Sequence, residues 1–410
     1  MDKLRSEAVD SGEGPKSSQI IGRLSGCGLS SSQVSRYSRQ LVLPSFGPQA
    51  QARLCQGSVL IVGAGGLGSP AALYLAAAGV GQLGIVDTDA LELSNLHRQI
   101  AHQEASVGRH KAASAAASCR ALNSSIQVVA HEQGLLPHNA LDLVGAYDVV
   151  LDASDNAPTR YLASDACCIA DKPLVSGAAL GMDGQLTTLC MRPNGPCYRC
   201  LYPEAPALAS CRRCGEAGVL GVAPGIIGTL QALEAIKLLS GVGQPLTQRL
   251  LLLNCLSTSF RTFKLRDRSA ACASCGDRPT ITAANLADYD YKAFTGQPFN
   301  DAAPPSLALI PDAQRLRVQD LAQRLGQSAS DAAGAGSSRP PSHQAAGMDT
   351  HAGSSPMESS PETVHHLLES TPTSEASSGR SSSLGLAAPI GGASGLTAWC
   401  QMVDPSFPSY

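Results

Sequence analysis

The sequence predicts an α/β fold: a Rossmann-like mixed, mainly parallel sheet with helices on both faces. Three observations predict it. Short apolar strands alternate with alanine-rich helical stretches between residues 37 and 280. The first of these strands, residues 59–62, runs directly into a glycine-rich turn in the sequence VLIVGAGGLG. A second apolar run, residues 84–86, ends at Asp87, where a fold that binds a nucleotide places an acidic residue.

The elements follow one another in a regular order. Apolar runs predict strands at residues 59–62, 84–86, 127–130, 148–151 and 173–176, and alanine- and leucine-rich periodicity predicts helices at residues 70–78, 110–122, 157–170 and 225–239. Gly79 and Gly241 are typical of residues that end a helix. Residues 184–191 (GQLTTLCM) alternate between apolar and polar positions, which favours an antiparallel strand and a mixed sheet.

Composition limits the classes of protein to which the chain belongs. Its 410 residues, 43% of them hydrophobic, suffice for two or three domains with a sizeable core. A formal net charge of −3 gives no general attraction to nucleic acid or to anionic membranes. The polar start MDKLRSEAVDSGEG has no apolar h-region, so we expect no secretory signal. We expect a cytoplasmic protein that neither enters a membrane nor binds nucleic acid directly.

The chain divides by composition into four parts. Residues 1–30 are rich in serine and glycine and are expected to be disordered, and residues 31–280 form the folded domain. Residues 281–326 read as a linker with some order. Residues 327–410 are low in complexity and too poor in apolar residues to offset the entropy of folding, so a disordered tail is expected.

The glycine turn predicts a phosphate-binding loop. Gly63, Gly65 and Gly68 fit the G-x-G-x-x-G pattern, in which missing Cβ atoms let a phosphate approach the backbone at a helix N-terminus. Asp87 is then placed to accept hydrogen bonds from ribose hydroxyls. These features alone indicate only a nucleotide, and a nicotinamide-dependent oxidoreductase is the default interpretation.

Polar and basic residues after Asp87 favour a different reaction. Asn95, Arg98 and Lys111 lie within one short span. An enzyme that cleaves ATP between its α- and β-phosphates needs cations there to neutralise the charge of the reacting phosphate and of the departing pyrophosphate. The alternative is that Arg98 and Lys111 are ordinary solvated residues near helix starts, and spacing alone does not decide between them.

Asp155 and Asn156 follow the strand of residues 148–151, at the edge of the sheet where ligands of open α/β folds gather. A carboxylate at that place could hold Mg²⁺, which takes only one or two protein ligands. The competing interpretation is a helix cap, in which Ser154 or Asp155 opens the helix that begins at residue 157.

Six of the 14 cysteines form C-x-x-C pairs, namely Cys197 with Cys200, Cys211 with Cys214, and Cys272 with Cys275. Two such pairs would supply the four ligands of a closed structural zinc site, and spacing does not determine which two. Cys214 has a further interpretation as a reactive thiolate, because neighbouring arginines lower the pKa of a thiol.

Residues 36–280 resemble the MoeB/ThiF family of ubiquitin-activating-type adenylyltransferases. The resemblance is carried, in order, by the segments RYSRQLVLP, VLIVGAGGLGSP, GIVDTDALELSNLHRQ, GRHKA, DASDNAPTRY, PCYRCLYPE, the Cys214 loop with GVLG, LQALEAIKLL and CASCGDRP. About 60% of the chain is covered with the motifs in sequence.

The resemblance implies a complete set of site residues. ATP would be contacted by Gly66, Asp87, Ser94, Asn95, Leu96, His97, Arg98, Lys111, Asp155 and Asn156. Asp155 would also hold Mg²⁺. Zinc would be bound as a knuckle by Cys197, Cys200, Cys272 and Cys275, which leaves Cys214 as the catalytic thiol. Arg36 resembles an arginine that such homodimers lend to the neighbouring active site.

The resemblance also implies the substrate. It would be the C-terminal Gly-Gly carboxylate of a ubiquitin-like sulfur carrier, either the small subunit of molybdopterin synthase or the ubiquitin-related modifier used in tRNA wobble-uridine thiolation. The sulfur would come from a sulfur donor protein. The alternatives are a tRNA-modifying dehydratase of the same fold, an NAD(P)-dependent oxidoreductase and a non-catalytic scaffold.

One departure from the family concerns sulfur transfer. Its eukaryotic members carry a C-terminal rhodanese domain with a persulfide-bearing cysteine. Here residues 316–325 (LRVQDLAQRL) resemble only the start of that domain, and the one later cysteine, Cys400, lies in AWCQMVDPS, which is unlike a rhodanese loop. We therefore expect adenylation without an intact rhodanese domain.

Overall fold

The computed structural model describes residues 27–205 and 218–299. Cys211, Cys214, the C-terminal tail and the rhodanese-like stretch all lie outside these residues.

The helices in chain order are α1 (Ser31–Arg36), α2 (Ser38–Leu41), α3 (Gly47–Gln56), α4 (Gly68–Ala78), α5 (Lys111–Leu122), α6 (Ala140–Gly145), α7 (Ala157–Ala170), α8 (Tyr198–Leu201), α9 (Val222–Ser240) and α10 (Tyr291–Thr295). The strands are β1 (Ser58–Val62), β2 (Gln82–Val86), β3 (Gln127–His131), β4 (Val149–Asp152), β5 (Leu174–Leu180), β6 (Asp183–Leu189), β7 (Arg249–Asn254) and β8 (Ser259–Lys264).

The eight strands form one mixed sheet in the order β3-β2-β1-β4-β5-β6-β7-β8. The first five strands run parallel, and each pairing from β5 to β8 is antiparallel. The predicted fold class is confirmed, including the antiparallel strand near residue 184. Strands β7 and β8 were not expected from the sequence, although RLLLLN and SFRTFK have strand-like composition.

Two apolar layers cover the two faces of the sheet. On one face α4, α5 and α9 pack on the sheet through their inward-facing residues, such as Leu75 of α4 and Ala235 of α9. On the other face α6 and α7 pack together with the C-x-x-C segments and with residues 281–299, in a cluster that includes Tyr161 and Tyr291. The packed core thus continues beyond residue 280, where the sequence placed the start of a linker.

Strand β1 lies in the middle of the parallel strands, and the order of the strands along the chain reverses beside it. From β1 the chain moves outward through α4 to β2 and through α5 to β3, and it then returns to place β4 on the other side of β1. A crevice opens at the carboxyl ends of strands where such a reversal occurs. The loops after β1 and β4 therefore face each other across one opening.

Helix α9, with 19 residues and a mean hydropathy of 1.4, has the length and composition of a membrane-spanning helix. It nevertheless belongs to the domain core. Gln231 Nε2 donates to the carbonyl oxygens of Asp152 (2.7 Å) and Val175 (3.1 Å), and Glu234 Oε2 accepts from the Leu246 amide (2.7 Å). Buried polar groups paired with the sheet in this way are typical of an internal helix. The expected absence of a membrane partner remains a prediction.

The end of α4 is locked by contact with the N-terminal helices. Gly79 ends α4 at φ +88°, and a Cβ there would overlap the ring of buried Tyr37. Asn123 Nδ2 donates to the Tyr37 hydroxyl (2.9 Å) and to the Ala76 carbonyl (2.8 Å), so one amide joins α4, α5 and the first helices.

We expect Gly79→Ala to destabilise the protein by about 2–4 kcal/mol in urea unfolding, because left-handed backbone strain and overpacking add. Gly108→Ala is the matched control. Gly108 has nearly the same φ, +87°, but open space where its Cβ would lie, so about 1 kcal/mol is expected there. Equal losses in the two variants would show that the contact with Tyr37 contributes nothing.

Candidate functional site: a nucleotide cleft and a four-cysteine cluster

A cleft of about 710 Å³ occupies the carboxyl edge of the sheet. Seven of the predicted nucleotide-binding residues line it: Gly66, Asp87, Asn95, Arg98, Lys111, Asp155 and Asn156. Ser94, Leu96 and His97 do not line it, although they belong to the same connection after β2. A second cavity of about 600 Å³ lies at the amino ends of β1, β4 and β5 and contains none of these residues.

The glycine turn has the geometry that the sequence predicts. Gly63 has φ +101°, and a Cβ there would lie 2.7 Å from the carbonyl oxygen of Ala153. A Cβ on Gly68 would overlap the Gly63 carbonyl. No side chain caps the N-terminus of α4, but the Ser69 amide donates to the Gly65 carbonyl (3.0 Å) and Pro70 has no N–H, so only the amides of the glycine turn before Ser69 are placed to meet an anion.

Asp87 joins β2 to the glycine turn. Its Oδ2 accepts a hydrogen bond from the Ala64 amide (2.7 Å) and its Oδ1 accepts one from the Asp89 amide (2.9 Å). Burial raises the pKa of Asp87, while Lys111 and these amides lower it. The carboxylate is thus held by two backbone donors at the edge of the cleft.

Lys111 is not a solvated surface residue of the kind that the alternative interpretation describes, whereas Arg98 is half-buried. Lys111 is buried, begins α5, and forms an ion pair with Asp89 (Nζ–Oδ2 2.8 Å). A cation is unfavourable at a helix N-terminus, so its position there calls for a negative partner. Arg98 Nη1 donates to the Ser94 carbonyl (3.1 Å) and its side chain borders the cleft.

The two carboxylates at the end of β4, Asp152 and Asp155, lie in different surroundings. Asp152 is buried, accepts hydrogen bonds from the hydroxyls of Ser154 and Ser176, and lies 3.8 Å from Arg160 Nη1. Asp155 is exposed at the cleft. Among the described residues its side chain accepts only a 3.5 Å hydrogen bond, from the side-chain Nδ2 of the neighbouring Asn156.

The predicted cap of α7 is corrected. Neither Ser154 nor Asp155 caps the helix; Asn156 does, with its Oδ1 accepting from the Thr159 amide at 3.0 Å. The reason is position, since the cap must directly precede the first helical residue, Ala157. This leaves Asp155 free to serve a ligand.

His102 supports the glycine turn and was not anticipated from the sequence. Its Nε2 donates to the Ala64 carbonyl (3.0 Å), because a carbonyl can only accept, and its Nδ1 then accepts from the Ser114 hydroxyl (2.9 Å). Burial lowers the pKa of His102. Gln99, also buried, lines the cleft with an amide oxygen that has no partner among the described residues.

Two of the three C-x-x-C pairs come together in the described part of the chain, and the third pair lies outside it. The sulfur atoms of Cys197, Cys200, Cys272 and Cys275 all lie within 4.8 Å of one another. Separations of 3.8 Å (Cys197–Cys200), 3.5 Å (Cys197–Cys272) and 3.3 Å (Cys200–Cys275) approach the roughly 3.8 Å edge of a tetrahedron with Zn–S bonds of about 2.3 Å.

An arginine inside the first cysteine pair ties the cluster to the domain. Arg199 Nε and Nη2 bind both oxygens of buried Asp165 at 2.9–3.0 Å. Its guanidinium carbon lies 4.4 Å from the ring centroid of Phe294 and 5.0 Å from that of Tyr161. Tyr291 donates its hydroxyl to Asp165 Oδ2 (2.8 Å). We call these residues the arginine clamp.

Arg36 lies away from the cleft of its own chain. It is exposed at the end of α1, and its Nη1 donates to the Leu122 carbonyl at the end of α5 (3.2 Å). A role in a neighbouring subunit remains a prediction.

Comparisons with known proteins agree on one family. A model of the ThiF family matches residues 37–274. The adenylyltransferase and sulfurtransferase MOCS3-1 of Zea mays is 54% identical over 293 residues, 71% of this chain and 62% of the relative. The MOCS3 proteins of Arabidopsis thaliana (52%; 73% and 63%) and Bos taurus (50%; 72% and 64%) are similar. The chain thus spans less than two thirds of the length of these curated relatives.

Solved structures show the same fold. Escherichia coli MccB has a TM-score of 0.55 at 21% identity, over 62% of this chain and 75% of that one. A structure of MccB with ATP gives 0.52 at 22% identity, over 58% and 74%.

The lowered pKa of His102 predicts a pH dependence of stability. As pH falls through the ordinary histidine range toward the lower folded value, the unfolded chain takes up a proton that the folded chain resists, so stability is lost. We expect the Tm of wild type to fall from pH 7.5 to 5.5, and that of His102→Gln to fall less. The exposed His138→Gln is the control and should keep the wild-type slope. Parallel slopes for wild type and His102→Gln would contradict the assignment.

Proposed function

The chain belongs to the ThiF family, and on that premise we propose that it is an ATP-dependent adenylyltransferase acting on the C-terminal glycine of ubiquitin-like sulfur carriers. The relatives named adenylyltransferase and sulfurtransferase support the reaction class. The observation that carries the proposal is the cleft itself, in which a glycine turn, an acid after β2, three cations and the exposed carboxylate of Asp155 converge.

The reaction needs one bond formed and one bond broken at phosphorus. A carboxylate oxygen of the carrier attacks the α-phosphorus of ATP, the bond to the bridging oxygen of the β-phosphate breaks, and pyrophosphate leaves. The product is an acyl-adenylate. Negative charge grows on the α-phosphate oxygens and on pyrophosphate, and catalysis of such a transfer depends on placing positive charge beside them.

Residues of this chain would divide those tasks. Asp87 would hold the ribose hydroxyls, and the amides of the glycine turn before α4 would face the phosphates. Arg98 would contact the phosphates with a forked donor, and Lys111 would do so as a compact charge after exchanging Asp89 for the nucleotide. Arg36 would come from a partner subunit in a homodimer.

Asp155 suits Mg²⁺ because it is an exposed oxygen ligand that forms no ion pair among the described residues. Buried Asp152 does not, because Arg160 and two hydroxyls already satisfy it. Bound Mg²⁺ would neutralise phosphate charge and orient the chain of phosphates.

The carriers would be the small subunit of molybdopterin synthase and the ubiquitin-related modifier of tRNA thiolation, so the chain would serve molybdenum cofactor biosynthesis and tRNA wobble-uridine modification in the cytoplasm.

A persulfide of a sulfur donor protein would attack the acyl carbon and release AMP. A second thiol would then free the carrier as a thiocarboxylate and leave the donor sulfur in a disulfide. Cys214 could relay that sulfur, but it lies outside the described residues.

The four-cysteine cluster suits Zn²⁺ in a structural role. All four ligands come from the protein, which leaves no position for a substrate, and the sulfur tetrahedron has the size that zinc requires. The site would join the segment around α8 to the turns of residues 270–276. Zinc would therefore fix Arg199 in the arginine clamp.

The decisive test is ATP–pyrophosphate exchange with the purified chain and a Gly-Gly-ended carrier. We expect exchange that requires ATP and the free C-terminal carboxylate, and none when NAD replaces ATP. Asp155→Asn should lower the exchange rate by about 100-fold and raise the Mg²⁺ concentration required, because a metal-binding charge is lost. Asp142→Asn, an exposed change on α6, is the control and should match wild type. Absence of exchange with every such carrier would refute the proposal.

Zinc content provides a separate test. We expect about one zinc ion per chain, lost in Cys272→Ser, with a lower Tm because metal binding contributes to folding. Cys255→Ser, at a cysteine outside the cluster, should retain the metal. Full zinc occupancy in Cys272→Ser would place the ion elsewhere.

A further inference from the structure

We propose that Lys292 is a nucleotide-binding residue that contacts the phosphate chain of ATP from the segment following the cysteine cluster. We call residues 286–299 the return segment. The inference rests on the proposed function, because ATP is the nucleotide in both. No motif of the nucleotide fold points to this lysine, which lies beyond both cysteine pairs in the sequence.

The return segment is firmly anchored to the domain. Leu286 and Tyr291 are fully buried, and Asp290 caps α10 by accepting from the Ala293 amide (2.9 Å). Tyr291 also donates to Asp165, and Phe294 stacks on Arg199 in the arginine clamp. A segment held by a buried ion pair and aromatic contacts can position a side chain reproducibly.

From that anchor the return segment forms part of the cleft. Lys292, Pro298 and Phe299 line the same cavity as the glycine turn and Asp155. Lys292 is exposed, and it makes no hydrogen bond or ion pair within the part of the chain that the structure describes. Its neighbours Tyr291 and Thr295 are buried, so α10 turns its polar face toward the opening.

The charge of the cleft shows why this lysine matters. Four carboxylates line it against three cations, Arg98, Lys111 and Lys292, which gives 3 − 4 = −1. Lys111 is already paired with Asp89, and Arg98 is bonded to the Ser94 carbonyl. Lys292 is therefore the cation that needs no exchange of partners to meet a phosphate. Without it the lining would carry −2 and would repel an anionic nucleotide.

The test measures binding of nucleotides to the full chain by calorimetry, without a carrier. Lys292→Ala should weaken MgATP binding about tenfold, the loss expected for one partly exposed charge-assisted hydrogen bond, and should leave adenosine binding within about twofold. Lys292→Arg should retain most of the affinity, since it keeps the charge. Lys264→Ala, an exposed lysine on β8 outside the cleft, is the matched control and should equal wild type.

Each outcome separates the possibilities. Unchanged MgATP affinity in Lys292→Ala, or equal losses for ATP and adenosine, would overturn the inference, the second by showing a packing role. If wild type binds MgATP but catalyses no carrier-dependent exchange, adenylation fails while the role of Lys292 is still decided by the titrations. If wild type binds no MgATP, both proposals fail.

Discussion

The cleft exists because β1 and β4 lie side by side although three helices and two strands separate them along the chain. Their loops approach so closely that a Cβ on Gly63 would lie against the Ala153 carbonyl. The neighbouring side chains of the cleft are positioned by the two loops that meet at this contact. Asp87 bonds to the glycine turn through the Ala64 amide, His102 supports Ala64 through its carbonyl, and Asp155 lies two residues after Ala153.

A second set of contacts brings distant segments to the same cleft. The Arg199–Asp165 pair is buried, and a buried pair offsets its loss of hydration only when its geometry is good and its remaining donors and acceptors are satisfied. The bidentate geometry, the Tyr291 hydroxyl and the surrounding rings meet that condition. Because Arg199 lies between two cysteines of the cluster, the four-cysteine cluster and the cleft wall share one support.

Local sequence signals predicted much of this structure. Helix α7 has the predicted bounds, 157–170, and Gly79 ends α4 as expected, because caps and periodicity are encoded by neighbouring residues. The glycine turn was found from its local motif, whereas the seven predicted residues that line the cleft were named as a set only through the family resemblance. Strands β7 and β8 were missed, since short apolar runs are ambiguous without their partners.

The remaining site residues depend on long-range contacts that spacing does not reveal. Asp165 and Arg199 are 34 positions apart, and Asp165 and Tyr291 are 126 apart. Only the folded sheet brings them together. His102 was missed because a single histidine has no signature until its two partners, Ala64 and Ser114, are known.

The arginine clamp also determines where this polypeptide could be cut. A fragment that stops at residue 280 would retain all four cysteines and every motif by which the family is recognised. It would nevertheless expose the Arg199–Asp165 pair to water on the side now covered by Tyr291 and Phe294. An autonomous unit therefore extends at least through Phe294, because burial of this charged pair, and not the last family motif, requires it.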